Sequence, residues 1–177
     1  FLPLVEATTM GHPAEVKNFL GAMINEKALN GALTGIKNAE KDGNTLVAGG
    51  KRAADEGWFL QPTVFTDVKR GDYIWKEELF APVVAVHKVS SFEEGVQAAN
   101  DTIYGLTGAY FSKDPAKIEI AKRELHAGNL YINRKCTGAL VGVHPFGGFN
   151  LSGTDSKAGG RDYLGLFLQA KLISSAK

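Results

Sequence analysis

The first quarter of the chain carries apolar residues at the spacing of a helix. Between residues 14 and 42 they recur every three or four positions, the period at which side chains share one helix face. They are Val16, Phe19, Leu20, Met23, Ile24, Ala28, Leu29, Ala32, Leu33 and Ile36. The turn sequence Asp42-Gly43-Asn44 ends the pattern. We therefore predict two helices, or one broken helix, over residues 14–42.

Short apolar runs typical of strands follow this region. "TLVAGG" (45–50) is one, and "WFLQPTVF" (58–65) is a second, whose proline confines it to an edge or a bend. The third, "APVVAVHKV" (81–89), is almost continuously apolar, as expected of a strand covered on both faces. Acidic residues then follow Ser90 and Ser91, which predicts a helix with one of these serines as its N-cap.

Strands and helices continue to alternate as far as residue 133. "TGAYF" (107–111) and "NLYIN" (129–133) are predicted strands, with a helix from about residue 114 to residue 126 between them. Strands that alternate with helices predict the α/β class with a parallel sheet and functional loops at the strand ends. The last stretch, residues 162–177, suits either a strand or a short helix.

Composition and charge narrow the class of protein. The 177 residues are 44% hydrophobic and 22% charged, which is typical of one globular domain. The net charge of +1 and the absence of a long basic run argue against nucleic acid as a partner. No apolar stretch is long enough to span a membrane and no secretory leader is recognisable, so we expect a cytoplasmic protein, or a mitochondrial-matrix protein in a eukaryote.

Cysteine and histidine usage bears on metals and disulfides. A single cysteine, Cys136, excludes an internal disulfide, and the four histidines are not spaced as metal ligands on one helix, so we expect no metal. The chain also begins "FLPLVEATTM", without an initiator methionine, and we expect it to be part of a longer protein.

A glycine-rich stretch, "HPFGGFNLSGTDSKAGG" (144–160), raises the question of a ligand. The chain has neither of the two glycine patterns that surround phosphate at the start of a helix. One reading is that these glycines only permit positive φ in an irregular loop. The other is that the loop binds a ligand other than phosphate.

Four segments together resemble one enzyme superfamily. They are "KEELFAPV" (76–83), "NDTIYGLTGAYFS" (100–112), "GNLYINRKCTGALVGVHPFGGFNLSGT" (128–154) and "KAGGRDYLGLF" (157–167). The sequences of these segments and their order along the chain resemble those of aldehyde dehydrogenases, most of all the 1-pyrroline-5-carboxylate dehydrogenase family. That family oxidises glutamate semialdehyde to glutamate with NAD. The resemblance implies a three-layer αβα fold with a mostly parallel sheet. It also implies that residues 1–164 are part of the catalytic domain and that residues 165–177 are a strand through which the enzyme forms a homo-oligomer.

The resemblance also implies site residues. Glu78 matches the glutamate that holds the nicotinamide ribose, and Phe80 matches the phenylalanine that lies against the nicotinamide. Gly159 and Gly160 match backbone N–H donors to the α-carboxylate of the aldehyde substrate, and Phe167 matches an aromatic that contacts the aliphatic chain of that substrate. The alternatives are a solvated charge at the end of a strand for Glu78 and core packing for Phe167.

No residue of the chain matches the catalytic groups of the family. Its nucleophilic cysteine lies in a G-Q-x-C stretch, and its base and Rossmann domain also precede the segments found here. We expect Cys136 to be a buried or half-buried small hydrophobe and not the nucleophile, although it follows Arg134 and Lys135. The isolated chain is therefore expected to be inactive. The alternative function is a non-catalytic binding or assembly module.

Overall fold

The computed structural model describes residues 1–137, 140, 142–153, 160, 161 and 163–176, and these fold as two compact units. The first unit is Phe1–Val89 and the second is Ser90–Lys177. Each has helices and a small sheet. Of the helices that lie within the described ranges, none is both long enough and apolar enough to cross a membrane.

The first unit packs a long helix against a three-stranded sheet. In chain order its elements are α1 (Leu2–Glu6), α2 (Glu26–Lys41), β1 (Thr45–Ala48), β2 (Thr63–Thr66), α3 (Tyr73–Lys76) and β3 (Val83–Ala85). The sheet order is β1-β2-β3, with β1 antiparallel to β2 and β2 parallel to β3. Its core is one cluster: Leu29, Ala32, Ile36, Ala39, Leu60, Phe65, Val68 and Ile74. The apolar face of α2 therefore supplies half of the core.

The predicted helix over residues 14–42 is only partly right, because α2 begins at Glu26. Asn25 caps it, and the Asn25 side chain accepts a hydrogen bond of 2.8 Å from the backbone N–H of Ala28. Residues 14–25 are not helical. Instead the N–H groups of Phe19 and Leu20 donate to the carbonyl of Thr9 at 3.0 and 3.1 Å. This non-local pairing turns the chain back on itself, and the apolar period there does not mark a buried face.

The predicted strands are present but shorter. β2 begins directly after Pro62, while Leu60 forms an isolated bridge to Arg52, which agrees with a proline at a bend. The prediction that both faces of residues 81–89 are covered is wrong for this chain, since Val84 and Val86 are exposed. β3 is an edge of its sheet, and within the first unit only one side of it meets the core.

The second unit alternates helices and strands as the sequence predicts. Its elements are α4 (Phe92–Asn100), β4 (Thr107–Tyr110), α5 (Pro115–Glu124) and β5 (Asn129–Ile132), followed by 3-10 helices at Asn150–Ser152 and Leu164–Phe167. β4 and β5 are parallel neighbours. Ser91 is the N-cap of α4 and Asp114 that of α5, so the predicted cap of the first of these helices is confirmed.

The end of the chain has little regular structure. After the 3-10 helix at Leu164–Phe167, residues 168–176 are in neither a helix nor a strand. Residues 165–167, predicted as the start of a terminal strand, are therefore helical in this chain. The pairing of residues 165–177 with another chain, and a domain boundary at residue 164, stay predictions.

Candidate functional site

The predicted site residues fall in both units. Glu78 and Phe80 lie in the first unit, on the segment that joins α3 to β3. Gly160, the last residue of the glycine-rich loop, and Phe167 lie in the second. Gly159 lies outside the described residues.

The segment that carries Glu78 and Phe80 is fixed at both ends by backbone hydrogen bonds. The N–H of Glu77 donates to the carbonyl of Tyr73 at 2.9 Å and closes α3. At the other end the N–H of Thr63 in β2 donates to the carbonyl of Pro82 at 2.9 Å. The segment is therefore held to a helix on one side and to the sheet on the other.

Two aspartates hold the start of α3, and sequence reasoning missed their role. The carboxylate of Asp42 accepts a hydrogen bond from the N–H of Tyr73 at 2.6 Å. The carboxylate of Asp72 accepts from the N–H of Lys69 at 2.7 Å and from the side-chain amide of Asn44 at 2.9 Å. A carboxylate near free N–H groups at a helix start is favourable. From the sequence, Asp42 and Asn44 indicate only a turn, because their partners lie about thirty positions away.

Between its two ends the segment alternates inward and outward side chains. Leu79 is half-buried and Ala81 packs against the core, whereas Glu78 and Phe80 are exposed. Phe80 is 84% exposed and has a φ of 47°. That left-handed backbone costs a non-glycine residue on the order of 1–3 kcal/mol, and such strain concentrates at functional sites. The arrangement presents an exposed carboxylate and an exposed aromatic ring two positions apart.

In the glycine-rich loop, the glycines near residue 148 permit close packing. The carbonyl of Gly105 accepts hydrogen bonds from the N–H groups of Gly128 and Phe149, at 2.9 and 3.0 Å. A Cβ at Gly148 would lie 2.7 Å from the Cβ of Ser152. Gly153 has a φ of 130°, which L side chains rarely adopt. These glycines shape the loop: Gly148 allows the close approach of Ser152, and Gly153 allows the positive φ.

Gly160 and Phe167 are joined through Tyr163. The N–H of Tyr163 donates to the carbonyl of Gly160 at 3.1 Å, and its ring lies edge-on to that of Phe167, with centroids 5.2 Å apart. Phe167 is 66% exposed, so core packing does not explain it in this chain. The turn from Gly160 to Tyr163 and the contact between the two rings thus place the exposed Phe167 ring at the end of the short 3-10 helix that follows Gly160.

Cys136 is exposed, so the expectation that it is buried or half-buried is wrong. It follows β5 in a loop where the Arg134 guanidinium lies over the Tyr131 ring, 5.0 Å from its centroid, and donates to the carbonyl of Thr137 at 3.2 Å. The arginine is thus held by neighbours other than the thiol. In the described ranges, histidine, cysteine, aspartate and glutamate form no group of three or more that could hold a metal ion.

The chain is similar to known aldehyde dehydrogenases along nearly its whole length. A model of the aldehyde dehydrogenase family matches residues 1–173. The 1-pyrroline-5-carboxylate dehydrogenase 1 of Halalkalibacterium halodurans is 49% identical over 171 residues, which are 97% of this chain and 33% of that protein. The 1-pyrroline-5-carboxylate dehydrogenase of Bacillus subtilis is 47% identical over 173 residues, or 98% of this chain and 33% of that protein.

Solved structures of aldehyde dehydrogenases are similar to this chain as well. A Thermus 1-pyrroline-5-carboxylate dehydrogenase with bound NAD superposes with a TM-score of 0.88 at 49% identity, over 95% of this chain and 32% of that one. An apo betaine aldehyde dehydrogenase from Staphylococcus aureus gives 0.88 at 31% identity, over 96% of this chain and 34% of that one. These neighbours confirm the predicted α/β fold, a part of a three-layer catalytic domain, and the predicted resemblance. The chain spans about a third of the length of the relatives it matches.

Proposed function

Since the chain belongs to the aldehyde dehydrogenase family, we propose that it is the cofactor-holding and carboxylate-binding part of an NAD-dependent 1-pyrroline-5-carboxylate dehydrogenase. The enzyme would be an oxidoreductase that converts glutamate semialdehyde to glutamate. The observation that carries the proposal is the pairing of an exposed carboxylate, Glu78, with an exposed aromatic ring on strained backbone, Phe80. NAD is the cofactor we propose, and a similar Thermus enzyme has been solved with NAD bound.

The residues on this segment fit the nicotinamide end of NAD. A carboxylate can accept hydrogen bonds from two neighbouring ribose hydroxyls, and charge-assisted bonds of this kind are strong. The Phe80 ring offers a flat apolar surface to a flat heterocycle. When bound, NAD supplies the hydride acceptor for the oxidation of an aldehyde. The part of this chain is to hold and orient the cofactor.

The loop that ends at Gly160 would bind the α-carboxylate of the substrate. Backbone N–H groups of Gly159 and Gly160 can surround an anion without a charged side chain, and glycine lets the ligand approach closely. The exposed ring of Phe167 would contact the aliphatic chain that separates this carboxylate from the aldehyde. These two contacts would favour an aldehyde that carries a carboxylate at the other end.

We propose that the catalytic thiol and the general base come from residues outside these 177. The only cysteine, Cys136, does not lie in the G-Q-x-C stretch of the family, and it follows β5 in an exposed loop. This chain alone would then bind ligands without turnover. The exposed side chains of Leu168, Leu172 and Ile173 support the further proposal that residues 165–177 pair with another copy in a homo-oligomer.

The test is NAD-dependent oxidation of glutamate semialdehyde by this chain, with and without the upstream half of the family's catalytic region added in trans. We expect turnover only when both parts are present. Turnover by the 177 residues alone would contradict the division of roles, and Cys136→Ser would then show whether that thiol is the nucleophile. Absence of turnover from a correctly folded mixture would contradict the proposed activity.

Glu78→Gln tests the ribose contact, with Glu77→Gln as its matched control. Both glutamates are exposed and adjacent. A hydrogen bond to a charged group contributes about 1.5–3 kcal/mol, and about 1.4 kcal/mol corresponds to a factor of ten in binding. We expect the KM for NAD to rise about tenfold or more in Glu78→Gln and to change little in Glu77→Gln. Equal effects in the two variants would argue against a specific role for Glu78.

A further inference from the structure

One glycine in α2 occupies a position that a helix disfavours. Gly35 lies in the middle of this 16-residue helix and is buried. Glycine stabilises a helix interior less than alanine does, because its backbone loses more conformational freedom on folding. Gly31, one turn earlier on the same helix, is exposed and has nothing within 4 Å of where a Cβ would stand. The two glycines share a helix and differ in their surroundings.

Gly35 is in contact with Leu79. A Cβ at Gly35 would lie 2.5 Å from Cδ2 of Leu79 and 3.1 Å from its Cδ1. The first distance is shorter than non-bonded carbon atoms tolerate and the second is tight, so the Leu79 side chain would have to shift to admit a Cβ at residue 35. The Gly35–Leu79 contact thus joins the long helix to the segment between α3 and β3.

Leu79 separates the two residues of the proposed cofactor contact. Glu78 precedes it and Phe80 follows it, and both are exposed while Leu79 is half-buried. Because the backbone of this segment is held at both ends, a shift of the Leu79 side chain would move the backbone that its two neighbours share. Phe80 also has left-handed backbone, which persists only where the surroundings enforce it. The depth at which Leu79 packs therefore sets where Glu78 and Phe80 point.

We propose that Gly35 and Leu79 are positioning residues for the cofactor, which fix the orientation of Glu78 and Phe80 through their mutual contact. The inference rests on the proposed function, in which these two residues hold NAD. Neither Gly35 nor Leu79 would touch the cofactor. Their effect would appear in the affinity for NAD and not in the handling of the aldehyde.

The experiment compares Gly35→Ala with Gly31→Ala in the enzyme assembled from this chain and its upstream half. We expect Gly35→Ala to raise the Kd and KM for NAD at least fivefold, while the kcat at saturating NAD and the KM for glutamate semialdehyde stay within about twofold. Gly31→Ala should leave all of these unchanged. Without NAD, amide hydrogen exchange of residues 77–81 should be faster in Gly35→Ala than in Gly31→Ala.

A second variant keeps the test valid if Gly35→Ala does not fold. Leu79→Ala removes the contact without adding atoms, and it too should raise the Kd for NAD and speed amide hydrogen exchange in residues 77–81. Where the single variants fold, the double variant Gly35→Ala/Leu79→Ala should bind NAD more tightly than the product of the two single losses predicts, because the new methyl group enters vacated space. Independent losses would overturn the proposal, as would an unchanged Kd in folded single variants.

The affinity measurement also separates this inference from the proposed function. An unsubstituted enzyme that binds NAD but does not oxidise glutamate semialdehyde would contradict the substrate assignment alone. The NAD affinities of Gly35→Ala and Gly31→Ala would still show whether Gly35 and Leu79 are positioning residues. An unsubstituted, folded enzyme that does not bind NAD would overturn both.

Discussion

The two units of this chain are built on the same alternation of helices and strands and yet differ in how they bury apolar side chains. Nine of the ten buried apolar residues identified in the described ranges belong to the first unit, and only Ala121 belongs to the second. Both units expose large apolar side chains, and in the second unit these extend from Ile103 to Ile173. The first unit has a core of its own, and the second relies on backbone hydrogen bonds and close glycine contacts.

This difference bears on how the proposed cofactor contact and the proposed substrate contact are each supported. Glu78 and Phe80 lie on a segment that packs against the core of the first unit through Ala81 and contacts α2 through Leu79. Gly160 and Phe167 stand on a turn held by Tyr163. We expect the cofactor segment to keep its conformation in this chain more firmly than the substrate loop does, because packed side chains resist local opening.

The largest expected effect follows from the core of the first unit. Phe65 is fully buried, and Phe65→Ala should lower the free energy of unfolding by about 3–5 kcal/mol. Its control in the second unit is Phe111→Ala, where the ring is exposed and the change should be within about 0.5 kcal/mol. Urea unfolding followed by circular dichroism measures both. Equal losses would mean that the second unit has a core of comparable strength.

The glycine contacts of the second unit should give the next largest effect. A Cβ at Gly128 would collide with the carbonyl oxygen of Gly147 and the Cα of Gly148, which are backbone atoms that cannot move aside alone. Gly128→Ala should therefore destabilise the chain by about 1–3 kcal/mol, as overpacking does. Gly165, with nothing within 4 Å, is the control. If Gly165→Ala costs as much in a thermal melt, the collision is not the cause.

Helix caps allow a direct comparison between the units, with smaller expected changes in the free energy of unfolding. Asp114 accepts hydrogen bonds from the N–H groups of Ala116 and Lys117, at 2.9 and 3.3 Å, and Asn25 accepts one from Ala28. Asp114→Ala and Asn25→Ala should each cost about 1 kcal/mol in chemical unfolding. Asp114→Asn keeps an acceptor and should recover most of the loss. A full loss in Asp114→Asn would point to the charge and not to the cap.

The smallest effect concerns a surface ion pair of α5. Lys122 lies 2.6 Å from the carboxylate of Glu119, and both side chains are at least half exposed. Solvent screens such pairs, so Glu119→Gln should change the free energy of unfolding by only about 0.3 kcal/mol. Unfolding at low and high salt checks this, because the difference should vanish in salt. A loss that persists in salt would show that Glu119 has another structural role.

Local features were predictable from the amino-acid sequence. The α/β alternation, the Ser91 cap of α4 and the strands β1, β4 and β5 depend on propensities and hydrogen bonds between residues close in sequence. The family resemblance rests on several motifs in order along the chain, and the family model that matches residues 1–173 bears it out. The helix predicted for residues 14–25 is wrong, because a helical period of apolar residues does not show which other residues will pair with that segment.

The tertiary structure alone decided which residues meet across the chain. No local pattern indicates that Asp42 accepts a hydrogen bond from Tyr73, or that Gly35 leaves room for Leu79. The sequence likewise did not determine which side chains are exposed, and Phe80, Cys136 and Phe167 are examples of exposed ones. The physical reason is that helix caps and strand propensities act over a few residues, whereas burial and side-chain contact depend on how distant segments pack together.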